Sequence, residues 1–211
     1  MSAVTEETPE TIGHGPDPHA HDGPPPTNTG VSNEKIAMCA FLGSECLLFG
    51  ALISTYLLYR GRSVSGPQPK DVYDIPFTSV SSFVLLMSSL TMVLALSAIQ
   101  RRDERRLRVW LLATALLGST FIAGQIYEFT SFVHEGLTIH TNLFGSSFFV
   151  MTGFHGVHVT LGIVMLLTFW GMSMRGQLGP EKAELVEIGG LYWHFVDIVW
   201  IVIFTIVYLI K

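Results

Sequence analysis

Two short runs near the C-terminal end place ionisable side chains in otherwise apolar surroundings: Gly153-Phe154-His155-Gly156-Val157-His158 and Tyr192-Trp193-His194-Phe195-Val196-Asp197. His155 and His158 are three positions apart, as are His194 and Asp197, so each pair shares one face of a helix. Imidazole and carboxylate on facing surfaces can exchange hydrogen bonds or a proton, and opposed histidines can hold a haem iron. The same side chains also serve as polar glue between helices, with no chemistry at all. Glu45 stands apart. Its helical neighbours are Phe41, Leu42, Leu48, Phe49 and Leu52, with no basic residue near it in its own segment. Desolvation favours a neutral carboxyl there, either as a proton-carrying group or as a donor to a neighbouring helix. Gln125, Tyr127 and Glu128 lie near one end of a further apolar segment, and Glu187 lies at the start of the last. Both glutamates are expected at headgroup level, where a charge is cheaper than at the midplane.

These groups are carried by five apolar segments, at about 37–59, 80–99, 109–129, 146–170 and 188–210. Each has about 20 to 25 residues, enough for a helix to cross about 30 Å of hydrocarbon. In lipid the backbone must satisfy its own hydrogen bonds, which makes helices the realistic form for such runs. Glu45, His155, His158, His194 and Asp197 then fall in the middle third of the membrane. The fold expected is all-α: an integral membrane bundle of five transmembrane helices over residues 35–211, preceded by a mobile tail at 1–34.

Composition agrees. Charged residues make up 14% of the 211, where a soluble domain has about 25%. No basic patch interleaved with aromatics is present, so nucleic-acid binding has no support. The tail is rich in Pro, Gly, Thr and Glu and cannot bury enough apolar surface to offset ordering. It contains His14, His19 and His21, read as solvated side chains rather than a metal site, and no Lys or Arg. A cleaved secretory signal is therefore not expected, and the first span is read as an uncleaved insertion signal. Cys39 and Cys46 are seven apart on one face, too far for a disulfide within a helix, and read as small packing residues. Eight Lys or Arg fall on the N-terminal side of the membrane and four on the other. The positive-inside rule then puts the N-terminus in the cytoplasm and Lys211 outside. Small residues at Gly43, Gly50, Gly118, Gly124, Gly153, Gly156 and Gly162 are expected to let backbones approach closely. No internal repeat marks two transporter-like halves.

Three motifs together carry a resemblance: Gly124-Gln125-Ile126-Tyr127-Glu128-Phe129, then Phe148-Phe149-Val150-Met151-Thr152-Gly153-Phe154-His155-Gly156-Val157-His158, then Tyr192-Trp193-His194-Phe195-Val196-Asp197-Ile198-Val199-Trp200. In that order, with Glu45 isolated in the first segment and the Glu187-to-His194 spacing, the chain resembles subunit III of haem–copper respiratory oxidases from about residue 36 onward. It resembles the five-span bacterial form. The resemblance implies a non-redox accessory subunit in a bacterial plasma membrane, beside a catalytic subunit I and with subunit II in the same complex. Haem and copper would reside in those partners, and the electron donor, cytochrome c or a quinol, would act there. It further implies a V-shaped cleft holding phospholipid, with Glu45 on the cleft side, and a role in supporting proton uptake. The cytochrome c type is favoured; a quinol oxidase or a nitric-oxide-reductase-associated relative is the alternative within the family. A haem-binding cytochrome using His155 or His158 with His194, and a proton-coupled transporter using Glu45 and Asp197, are the readings outside it.

Overall fold

The computed structural model describes residues 32–60, 75–134 and 143–209. They form α1 (Asn33–Tyr59), α2 (Ile75–Gln100), α3 (Glu104–His134), α4 (Leu143–Met174) and α5 (Ala183–Phe204). A 3₁₀ turn at Pro180–Lys182 leads into α5, which runs on into a π-helical turn at Thr205–Leu209. All five helices are long and apolar enough to cross a membrane, and the described residues contain no strand. The protein is an all-α, five-span membrane bundle. Of the tail expected at 1–34, residues 1–31 lie outside the described residues, and Asn33 already begins α1.

The helices overrun the apolar segments at most ends. α3 starts at Glu104 rather than near 109 and continues to His134. Hydropathy marks only the part in hydrocarbon, whereas arginines at headgroup level stay helical while their heads reach water. Local chemistry sets the boundaries. The Ser32 hydroxyl accepts from Lys35 N at the start of α1, and the Asp103 carboxylate accepts from Arg106 N at the start of α3, each satisfying an orphan amide. α2 and α4 both end in Schellman turns. In α2, Asp103 N donates to Ala98 O and Arg102 N to Ile99 O; in α4, Gln177 N donates to Met172 O and Gly176 N to Ser173 O. The left-handed position is Gly176 (φ 68°) after α4 but Arg102 (φ 60°) after α2.

Helices α2, α3, α4 and α5 form a closed ring in which each packs on the next and α5 returns to α2. Two tryptophans of α5 fill its centre. Trp193 is fully buried, its indole N–H donates to Ser88 Oγ on α2 (3.0 Å), and its ring lies over Gly118 of α3 and Gly162 of α4. Trp200 donates to Ser82 Oγ on α2 (2.8 Å), meets Phe121 of α3 edge-on and stacks on His155 of α4. Both indoles thus touch all three other helices of the ring, with their polar N–H groups satisfied.

α1 lies outside the ring, against α4 and α5. It buries Phe49 and Tyr56 and leaves most of its surface open. It runs parallel to α5, because Lys35 meets Glu187 at one end and Arg60 meets the Ile206 carbonyl at the other. Two sequence expectations need correction here. Cys39 and Cys46 are free and exposed on the outer side of α1 rather than packed, because α1 uses one face only. The glycines do not act alike either: a Cβ at Gly43, Gly50 or Gly153 would meet nothing within 4 Å, while at Gly118 and Gly162 it would strike the Trp193 ring at 2.6 and 2.7 Å. Those two make room for an indole, not for a neighbouring backbone.

Candidate functional site

The buried polar groups fall into separate clusters along the helix contacts. At the α1–α4 contact, His158 Nε2 lies 3.1 Å from Glu45 Oε2, and the two side chains are 11% and 14% exposed. His158 Nδ1 lies 2.8 Å from the Phe154 carbonyl. A carbonyl only accepts, so Nδ1 carries the hydrogen. Nε2 is then a lone pair facing a protonated Glu45, or a second N–H facing an ionised one. Either way one hydrogen bond joins the two helices. The Tyr192 hydroxyl of α5 donates to the His158 carbonyl (2.9 Å), and the Phe49 ring meets the imidazole edge-on. The basic partner absent from Glu45's own segment comes from α4, 113 positions along the chain.

His155 goes elsewhere. It is fully buried, stacked on Trp200 at a centroid distance of 4.9 Å, with Phe121 and Phe49 edge-on at 5.9 and 6.4 Å. Neither ring nitrogen has a hydrogen-bond partner among the described residues. On the far side of the ring, His194 Nδ1 is 2.6 Å from Ser89 Oγ of α2. Asp197 is buried, and its oxygens make no hydrogen bond of good geometry among the described residues; the Ser89 hydroxyl is the polar group beside it. The two paired faces expected to meet across the bundle therefore do not. His158 turns to α1, His155 to the aromatic centre, and His194 to α2.

Glu128, near the end of α3, is enclosed by protein and only 7% exposed. Its Oε1 accepts from the Thr78 hydroxyl (2.6 Å) and the Tyr208 hydroxyl (2.9 Å). The start of α2 and the π turn after α5 close over it. Glu187 does lie at the surface, paired with Lys35 at 3.0 Å, and the neighbouring Glu184 accepts from the Ser32 hydroxyl. Gln125 donates to the Thr152 carbonyl (2.7 Å), tying α3 to α4. Among the described residues no three His, Cys, Asp or Glu side chains converge as a metal site.

Sequence reasoning missed the hydroxyl partners. Ser82 and Ser88 accept from the tryptophan N–H groups, Ser89 pairs with His194 Nδ1, and Thr78 and Tyr208 donate to Glu128. The signal was present: serines six apart on one segment and tryptophans seven apart on another match in antiparallel register.

This arrangement defines a multi-pass helical membrane protein whose interior polar groups join helix to helix. Comparison with known proteins narrows the class. The family model described as cytochrome c oxidase subunit III matches residues 27–211. The chain is 37% identical to cytochrome c oxidase subunit 3 of Bacillus sp. strain PS3 over 84% of its own length and 86% of that protein's. It is 39% identical to the probable quinol oxidase subunit 3 of Staphylococcus saprophyticus, covering 83% and 88%. With cytochrome c oxidase subunit 3 of Thermostichus vulcanus the identity is 35%, over 91% of both chains. The chain belongs to the cytochrome c oxidase subunit III family. It is an accessory subunit III of a haem–copper oxidase, and so part of a respiratory oxidase complex.

Proposed function

We propose that this chain is the non-redox subunit III of a proton-translocating oxidase of the cytochrome c type, seated beside catalytic subunit I with subunit II in the same complex. In this reading haem and copper reside in the partner subunits, and reduction of oxygen to water takes place there. The carrying observation is that the candidate histidines are committed to helix contacts. Both ring nitrogens of His158 face Glu45 and Phe154 O, His194 Nδ1 faces Ser89, and His155 is enclosed by aromatic rings. That disposition favours a packing and proton-holding role over axial ligation. The hydrogen-bonded Glu45–His158 pair, on a half-open α1 contact, is the group best suited to assist proton uptake near the partner, and bound phospholipid on that open side fits its apolar surface. The N-terminus lies in the cytoplasm and Lys211 outside, as the Lys and Arg distribution favours.

A second reading has its own support. The 39% identical Staphylococcus saprophyticus relative is named a probable quinol oxidase subunit 3, so a quinol donor is the alternative. Purification from the native membrane in mild detergent separates the readings. Oxygen consumption by the co-purifying complex with reduced cytochrome c, and not with a quinol, is the expected result; the reverse overturns the cytochrome c type. A stoichiometric Soret band in the isolated chain would overturn the non-redox role.

A further inference from the structure

At one membrane face α2 ends and α3 begins within a few residues, and a cavity of about 530 Å³ opens between their ends. Leu94, Ala98 and Val109 supply its apolar floor; Arg101, Arg105, Arg106, Asp103 and Trp110 also line it. The local carboxylates are already engaged. Asp103 pairs with Arg106 at 3.2 Å, and Glu104 with Arg108 at 2.8 Å. Arg101 and Arg105 are left without a carboxylate partner among the described residues. The floor also continues. Leu90 and Leu94 follow one face of α2, which Arg101 in the turn just beyond it continues, and Arg105, Val109 and Leu116 follow one face of α3, at helical spacing. Leu90, Val109 and Leu116 are all more than half exposed.

We propose that this seam binds one anionic phospholipid, its phosphate between Arg101 and Arg105 and an acyl chain along Leu94 and Val109 toward Leu116. Guanidinium groups match phosphate oxygens in geometry and charge, basic pockets between transmembrane helices take anionic headgroups, and indole rings sit at that depth. An acidic peptide at headgroup level would satisfy the arginines but leave the apolar track below them unused; a lipid uses both. The site lies on the α2–α3 edge, away from α1 and the Glu45–His158 pair.

The test is native mass spectrometry of the intact oxidase complex, delipidated in mild detergent and titrated with phosphatidylglycerol or chain-matched phosphatidylcholine. One tightly held phosphatidylglycerol is expected, with phosphatidylcholine binding clearly weaker. Arg101→Gln with Arg105→Gln should weaken phosphatidylglycerol roughly 30-fold. Val109→Trp, which fills the floor and leaves both arginines in place, should also lower retention. Equal retention by wild type and the double variant, or equal binding of the two lipids, overturns the proposal. So does full displacement by millimolar inorganic phosphate, which would assign the arginines to free anion. Loss of another subunit, rather than of lipid, from the double variant would give the surface to a polypeptide and overturn it as well.

Discussion

A single methyl group added at Gly118 should strike the Trp193 indole. The new Cβ would lie 2.6 Å from Cη2 and 3.0 Å from Cζ2 of Trp193, and 3.3 Å from Ile163 Cγ1. Carbon atoms prefer about 3.5–4.0 Å, so the ring must move by about 1 Å. It has nowhere to go. Gly162 lies against the same ring, where a Cβ would meet Cζ3 at 2.7 Å, and the indole N–H is tied to Ser88. Overpacking of this kind costs about 1–3 kcal/mol. Helix association in lipid relies on close packing rather than on exclusion of water, so the cost falls on the α3–α5 contact. The assay is the temperature at which the subunit leaves the detergent-solubilised complex. Gly118→Ala should lower it, and Gly162→Ala likewise. Trp193→Phe alone should also lower it, the partial cavity costing about 2 kcal/mol. Combining Trp193→Phe with Gly118→Ala should restore part of the loss, because the smaller ring leaves room for the methyl group. Strict additivity of the two single effects, or an unchanged midpoint for Gly118→Ala, would refute the clamped indole.

Further expectations rest on the same geometry. Glu45→Gln should leave assembly largely intact, since an amide can still pair with His158 Nε2, whereas Glu45→Leu strands that nitrogen at about 1–3 kcal/mol; equal yields of complex from both would count against the pair. Ser88→Ala and Ser82→Ala each remove the acceptor of a buried indole N–H and should destabilise by about 1–3 kcal/mol, read as a lower dissociation temperature. Ser44→Ala, an exposed hydroxyl bonded to its own helix, should do nothing. Exchanging Lys35 and Glu187 should preserve their contact between α1 and α5 while either single reversal weakens it, and high salt should erase the difference; co-purification at two ionic strengths checks this.

The five spans were readable because lipid forces every backbone group into a helix, so long apolar runs admit one interpretation. Their ends were not, because Arg105, Arg106 and Arg108 are polar yet remain helical at headgroup level. The identities of the interior polar groups were also readable: Glu45, His155, His158, His194 and Asp197 all sit at helix contacts. Their partners were not. A helical face can be assigned from spacing alone, but which neighbour it meets depends on the order of helices around the ring. That order sends His158 to α1 and His194 to Ser89. The enclosure of Glu128 was missed for a related reason. The π turn after α5 brings Tyr208 over it, and nothing in residues 205–209 announces a change from α to π winding.

The contacts that hold α1 also set a timetable. Glu45 emerges from the ribosome 113 residues before His158, and Ser32 emerges 152 before Glu184. At roughly 5–20 residues per second of synthesis, the first helix waits about 6–23 s with a carboxyl in lipid before its imidazole arrives, and longer before its ends are fastened. A nascent chain stopped before α5 would leave α1 with its α4 contacts, Glu45 on His158 and Tyr56 on Phe144, but without its fastenings to α5. The polar fastenings of α1 thus close in order along the chain, the one at its middle first and those at its ends last.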